Sequence, residues 1–254
     1  MQKNDYIGVF DSGVGGLSVL WHLRRVLPRE RFVYFGDCAN APYGARSTED
    51  VRALTLAAAE HLVSNWPLKA LVVACNTATA AAIGALRKKY PDLIVIGIEP
   101  ALKLAADAFP GGRIGVMATQ VTLREEKFDV LLHRFDAGCT VTKIPAPGLV
   151  ELIEAGQAEA AATEALLRQI LAPHIDNLDA LVLGCTHYPF AAEVISRILG
   201  KEVALLDGGD GTARETKRRL QNACLLRTEG EGQLTLTASG NTAQFLQVAE
   251  TLLR

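Results

Sequence analysis

Leu71-Val-Val-Ala-Cys-Asn-Thr-Ala-Thr-Ala80 and Leu181-Val-Leu-Gly-Cys-Thr-His-Tyr-Pro-Phe190 share one pattern: a Val/Leu run, a small residue, a cysteine, then two hydrogen-bonding side chains. A second pair, Ile7-Gly-Val-Phe-Asp11 and Ile114-Gly-Val-Met-Ala118, recurs in the same order, at an offset of 107 against 110 for the cysteine segments. Two matches at nearly one spacing point to two similarly built halves. Runs this apolar, each followed by an amphipathic or Ala-rich segment, read as strands buried on both faces, which means parallel sheets covered by helices.

Strands are expected at Tyr6–Phe10, Arg31–Phe35, Ala70–Ala74, Leu93–Ile96, Arg113–Met117, Thr140–Ile144, Ala180–Leu183 and Val203–Leu206. Helices are expected at Leu17–Val26, Thr48–Ser64, Thr77–Lys89, Leu123–His133, Glu159–Ile170 and Pro189–Leu199, with Gly200 as a stop signal. The fold class is α/β: two similar α/β domains whose mostly parallel sheets face each other across a central cleft. The expected division is residues 1–97 plus 208–254 for the first domain and 98–207 for the second. The stretch from Gly208 onward has no counterpart between the halves and is expected to pack back on the first.

Parallel sheets bind ligands beyond the carboxyl ends of their strands. Asp11-Ser12, Asp37, Cys75-Asn76-Thr77, Thr119 and Cys185-Thr186-His187 all fall at such ends, so two facing domains would gather them in one cleft. Asp11-Ser-Gly-Val-Gly-Gly-Leu-Ser18 resembles a dinucleotide fingerprint, but Ser18 stands where the third glycine belongs. Either it is a capped turn, or its glycines and the helix start behind it receive an anion such as a carboxylate. Pro42-Tyr43-Gly44 reads on its own as a turn.

The five cysteines form no C-x-x-C, and only Cys185 and His187 lie close together among Cys and His, so no metal site is expected. A formal net charge of -2 with 21% charged residues gives no basis for nucleic-acid binding. The longest apolar region, Ala70 to Leu86, is broken by Cys75, Asn76, Thr77 and Thr79, which rules it out as a membrane span. The N-terminus lacks the apolar core of an export signal, and reduced thiols in the cytoplasm are expected.

A lone strand-end cysteine is usually a small hydrophobe. Two at equivalent places, each followed by donors at an expected helix N-terminus that would favour thiolate, are a different matter. A nucleophilic hydrolase needs one cysteine and a base. Inversion at a carbon needs a base on one face and an acid on the other, exchanging roles when the reaction reverses. A matched pair of thiols with a reference pKa of about 8.5 suits that symmetry.

Asp-Ser-Gly-Val-Gly-Gly at 11–16, Pro-Tyr-Gly at 42–44, Ala-Cys-Asn-Thr at 74–77, Gly-Cys-Thr-His-Tyr-Pro at 184–189 and the tail Ala238-Ser-Gly-Asn together resemble the glutamate racemases of the cofactor-independent aspartate/glutamate racemase superfamily. The resemblance implies interconversion of L- and D-glutamate with no cofactor, by an isomerase supplying D-glutamate for peptidoglycan. It implies that Cys75 exchanges the Cα proton on the D-side and Cys185 on the L-side. Asp11 would assist the first thiol, and His187, supported by Glu154, the second. Substrate-binding residues would be Asp11, Ser12, Asp37, Pro42, Tyr43, Gly44, Asn76, Thr77, Thr119, Thr186 and His187. The implied partners are glutamate and a second copy in a homodimer, with no nucleic acid and no membrane. An aspartate racemase, a binding protein on the same scaffold and a nucleotide-binding protein are the alternatives. Pro145-Ala-Pro-Gly-Leu-Val-Glu departs from the family's usual Cys-Pro before Glu154.

Overall fold

The computed structural model describes residues 1–98, 101–124 and 138–253 of the chain. Its strands form two sheets, and every strand pair is parallel. The first sheet contains β1 (Tyr6–Asp11), β2 (Arg31–Gly36), β3 (Leu68–Val73), β4 (Ile94–Gly97) and β9 (Gln233–Ala238), in the order β4-β3-β1-β2-β9. The second contains β5 (Arg113–Ala118), β6 (Thr140–Pro145), β7 (Ala180–Leu183) and β8 (Ala204–Asp207), in the order β6-β5-β7-β8.

The sequence repeat is therefore a spatial one. β1 and β5 are interior strands, and each lies directly beside its cysteine-bearing neighbour, β3 or β7. All six residues of β3 and all four of β7 are buried, as strands covered on both faces require. Their side chains divide between apolar layers on either side of each sheet.

Helices α1 (Leu17–Val26), α2 (Thr48–Asn65), α3 (Asn76–Lys89), α4 (Leu102–Ala108), α5 (Gln120–Arg124), α6 (Leu149–Glu154), α7 (Ala161–Leu171), α8 (Ala192–Leu199), α9 (Gly209–Asn222) and α10 (Thr242–Leu252) are those of the described residues. In α2 the Ser47 side chain caps the Asp50 N–H, and the buried residues Val51, Thr55, Ala58, Ala59 and Leu62 recur at helical spacing. α8 ends at Gly200, whose φ of 93° suits a stop residue. It starts later than the sequence implies, because Tyr188–Ala191 forms a tighter 3₁₀ turn first. The expected helix over Leu123–His133 lies outside the described residues from 125 onward, as does the junction at 99–100.

The tail returns to the first sheet. β9 aligns Gln233 to Ala238 with Arg31 to Gly36 of β2, and α9 packs on α1. A buried ion pair fastens this return. Lys69 on β3 is fully shielded, and its Nζ lies 2.6 Å from Glu30 Oε2. It also donates to the carbonyls of Lys3 (2.6 Å) and Leu225 (3.0 Å), while Glu30 Oε1 accepts from the Arg227 N–H at 2.9 Å. Burial lowers the Lys69 pKa, and the Glu30 carboxylate opposes that shift. Removing one member of such a pair strands the other charge away from water. Lys69→Met is expected to destabilise the fold by about 3–5 kcal/mol, read as a lower midpoint in urea. An unchanged midpoint would show that the pair contributes nothing.

Candidate active site

Asp11 ends β1, Cys75 follows β3, Thr119 follows β5 and Cys185 follows β7, so the carboxyl ends of both sheets meet. Hydrogen bonds join them directly. Thr186 Oγ1 donates to Asp11 Oδ2 at 3.0 Å, and Ser18 Oγ donates to the Thr186 carbonyl at 2.9 Å. Thr77 Oγ1 lies 3.0 Å from Thr119 Oγ1, and Thr122 Oγ1 lies 3.0 Å from Thr119.

Cys75 is 5% exposed and caps α3, its sulfur accepting the Ala78 N–H at 3.4 Å. The side chain within reach of Sγ is Ser12, at 3.7 Å, whereas Asp11 bonds Gly13 N and Thr186. The helix start does not make this thiol acidic, contrary to the sequence-based expectation. Burial, reinforced by the charge of Asp11, pushes it up to about 12, so it is held as the neutral acid. Asp11, also buried, is itself raised above the ordinary carboxyl value by desolvation, against the pull of His187.

Cys185 is set differently. No helix starts on it; the chain turns through Thr186 and His187 into the 3₁₀ segment. Its sulfur lies 3.7 Å from His187 Nδ1, and His187 Nε2 lies 2.6 Å from Glu154 Oε1. Burial alone would lower the His187 pKa, but its bonds to Cys185 and Glu154 prevail and raise it well above the usual range. Glu154 is lowered, because His187 and the Val14 N–H outweigh its desolvation. A sulfur with a favoured imidazolium beside it is a candidate base; a neutral thiol is a candidate acid. Cys75 lies close enough to Cys185 for a charge on that sulfur to raise its pKa further.

The glycine loop after β1 gains its meaning here. A Cβ on Gly13 would lie 1.8 Å from Glu154 Oε1, and one on Gly15 would lie 2.3 Å from His187 Nδ1. The loop does receive a carboxylate, and it is the protein's own: Val14 N–H donates to Glu154 Oε1 at 3.0 Å.

Asp37 is enclosed by donors, with Tyr43 OH at 2.7 Å, Ser239 Oγ at 2.6 Å and the Asn40 amide at 3.0 Å. Pro42 follows a cis peptide, and the short turn Tyr43–Ala45 packs on α5. A cavity of about 140 Å³ opens there, lined by Pro42, Gly44, Thr119, Ala146 and Glu151 among others. At the start of α3, Asn76 Oδ1 is buried without a hydrogen-bond partner. Among the described residues no cluster of three His, Cys, Asp or Glu is arranged to hold a metal, and no helix is long and apolar enough to cross a membrane.

Residues 16–216 match the model of the Asp/Glu/Hydantoin racemase family. The chain belongs to this family. It is 43% identical to the glutamate racemase of Clostridium botulinum (strain Alaska E43 / Type E3), over 99% of this chain and 98% of that one. The fold superimposes on a glutamate racemase isoform from Bacillus anthracis with a TM-score of 0.90 at 35% identity, covering 99% of this chain and 95% of that chain. It superimposes on the Francisella tularensis glutamate racemase solved with D-glutamate with a TM-score of 0.87 at 30% identity, covering 99% and 94%.

Within this racemase scaffold, the site residues named from the sequence lie in the joined strand ends or in the loop at 37–44, except Glu154, which ends α6 and reaches the strand ends through His187 and the Val14 N–H. Ser18, Thr122, Ser239 and the Val14 N–H were not foreseen. For Ser239 the signal was the family-like tail at 238–241. Ser18 stood out in the sequence only as the residue in place of a third glycine, and nothing there sets Thr122 apart from surface hydroxyls.

Proposed function

We propose that this protein interconverts L- and D-glutamate by a two-base reaction in which Cys185 serves the L-face and Cys75 the D-face. The observation that carries the reading is the pairing of two buried thiols at matching places in two sheets, one backed by His187 and Glu154, the other held as a neutral acid. In the L-to-D direction the Cys185 thiolate takes the Cα proton, and the Cys75 thiol delivers its own to the opposite face. The reverse direction exchanges the roles. Full-length likeness to glutamate racemases supports glutamate over aspartate as substrate.

In this reading the hydroxyls of Thr77, Thr119 and Thr186, with Ser12 and Asn76, hold the substrate's polar groups. Asp37 fixes Tyr43, and Pro42 and Gly44 shape the approach. Residues 1–97 with 208–254 form one domain and 98–207 the other. The reaction calls for no cofactor, and its product feeds peptidoglycan synthesis in the cytoplasm.

The first test is incubation of the purified protein with L-glutamate in D2O, with no cofactor added, following optical rotation and Cα deuterium together. Loss of rotation with deuterium in the product is expected. If glutamate stays unchanged while aspartate racemises, the substrate assignment is wrong. If neither changes, a binding protein on a racemase scaffold is the better description.

A further inference from the structure

We infer that Tyr34 is a positioning residue for the Cys185 half-reaction, acting through a single peptide group. Tyr34 lies on β2, fully buried, and the catalytic assignment above does not use it. Its hydroxyl donates to the Gly13 carbonyl at 2.7 Å. The N–H of that same peptide, on Val14, donates to Glu154 Oε1 at 3.0 Å, and the same oxygen lies 2.6 Å from His187 Nε2. His187 Nδ1 then faces Cys185 Sγ. The peptide is thus pinned at both ends, by β2 of the first sheet at its oxygen and by the end of α6 at its hydrogen.

Two physical effects follow. Donation to a peptide oxygen polarises the peptide and strengthens its N–H as a donor. A stronger N–H keeps Glu154 anionic, which keeps the proton on the His187 ring that faces the Cys185 sulfur. The bond also fixes where the N–H points, because Gly13 has no side chain to hold its own orientation. Burial raises the Tyr34 pKa well above its ordinary value, so the phenol stays a neutral donor. Phe245 of α10 stacks on the ring, with centroids 5.9 Å apart and planes at 12°, and holds the hydroxyl in place.

This role rests on the two-thiol reading. It predicts a one-sided defect. In Tyr34→Phe, kcat is expected to fall about fivefold, as for one lost hydrogen bond, with KM little changed. Because only the Cys185 step slows, the deuterium isotope effect should rise with 2-deutero-L-glutamate and fall with 2-deutero-D-glutamate. In a Glu154→Gln background the added Tyr34→Phe change should have little further effect. Unaltered isotope effects with both enantiomers, or an undiminished Tyr34→Phe effect in the Glu154→Gln background, would overturn the role while leaving the racemase reading intact. Failure of the parent protein to exchange either enantiomer's Cα proton would remove both. If Tyr34→Phe does not fold, 3,5-difluorotyrosine at position 34 decides. A stronger donor should shift the isotope asymmetry the opposite way, and no shift would overturn the role.

Discussion

Cys75→Ala and Cys185→Ala are each expected to slow racemisation by about 10³-fold or more, with the fold retained. Both residues are nearly buried. The loss should be total for inversion and partial for exchange. In the proposed reaction, Cys75→Ala would retain a base on the L-face, since the contacts of Cys185 with His187 and of His187 with Glu154 are untouched. It should wash solvent deuterium slowly into L-glutamate while producing no D-glutamate. Cys185→Ala should do the reverse, exchanging D-glutamate alone. Chiral chromatography with mass detection in D2O reads both outcomes. Exchange of both enantiomers by either variant would show that one thiol reaches both faces, and a two-base reaction would be untenable.

Gly15→Ala is the second large effect. The new methyl would lie 2.3 Å from His187 Nδ1 and 2.6 Å from Thr186 Oγ1, and neither atom is the free end of a flexible surface chain. His187 is buried and tied to Glu154, so relief must come from moving the imidazole or the loop. Either changes the geometry at the nitrogen facing Cys185. A displacement near 1 Å at such a group reduces kcat by about 10²-fold. Gly84→Ala in the interior of α3 is the control, since a Cβ there meets nothing within 4 Å and Ala is the better helix former. It should leave turnover unchanged. A Gly15→Ala protein within about twofold of the parent would mean that His187 needs no fixed seat.

The architecture was legible because burial on both faces makes a strand conspicuous: residues 7–10, 70–73, 114–118 and 180–183 are all apolar or glycine. β9 escaped for the opposite reason. Its sequence Gln-Leu-Thr-Leu-Thr-Ala alternates at the sheet edge, and it is partly exposed along its length. α9 escaped because Gly-Asp-Gly-Thr-Ala-Arg-Glu-Thr-Lys-Arg-Arg is strongly polar, and its buried stripe consists of small residues such as Thr212, Ala213 and Thr216.

In the site, the residue types were readable and their electrostatics were not. Cys75 does cap a helix, but whether capping or burial dominates its thiol depends on neighbours far away in sequence, Asp11 foremost. The glycines of residues 13–16 state only that no side chain is tolerated. That Glu154 and His187 fill the space is a fact of the folded chain.

The return of β9 to β2 also sets an order of assembly. Residues 113–207, which carry the whole second sheet, are synthesised before Gln233–Ala238, and domains generally fold as units. The N-terminal sheet is therefore the one completed last. Its closing strand delivers Ser239 to Asp37, the carboxylate that anchors Tyr43. A nascent chain halted before residue 239 holds both catalytic-site cysteines, Cys75 and Cys185, yet lacks that anchor, so synthesis must pass Ser239 before the loop at 37–44 can be locked in place.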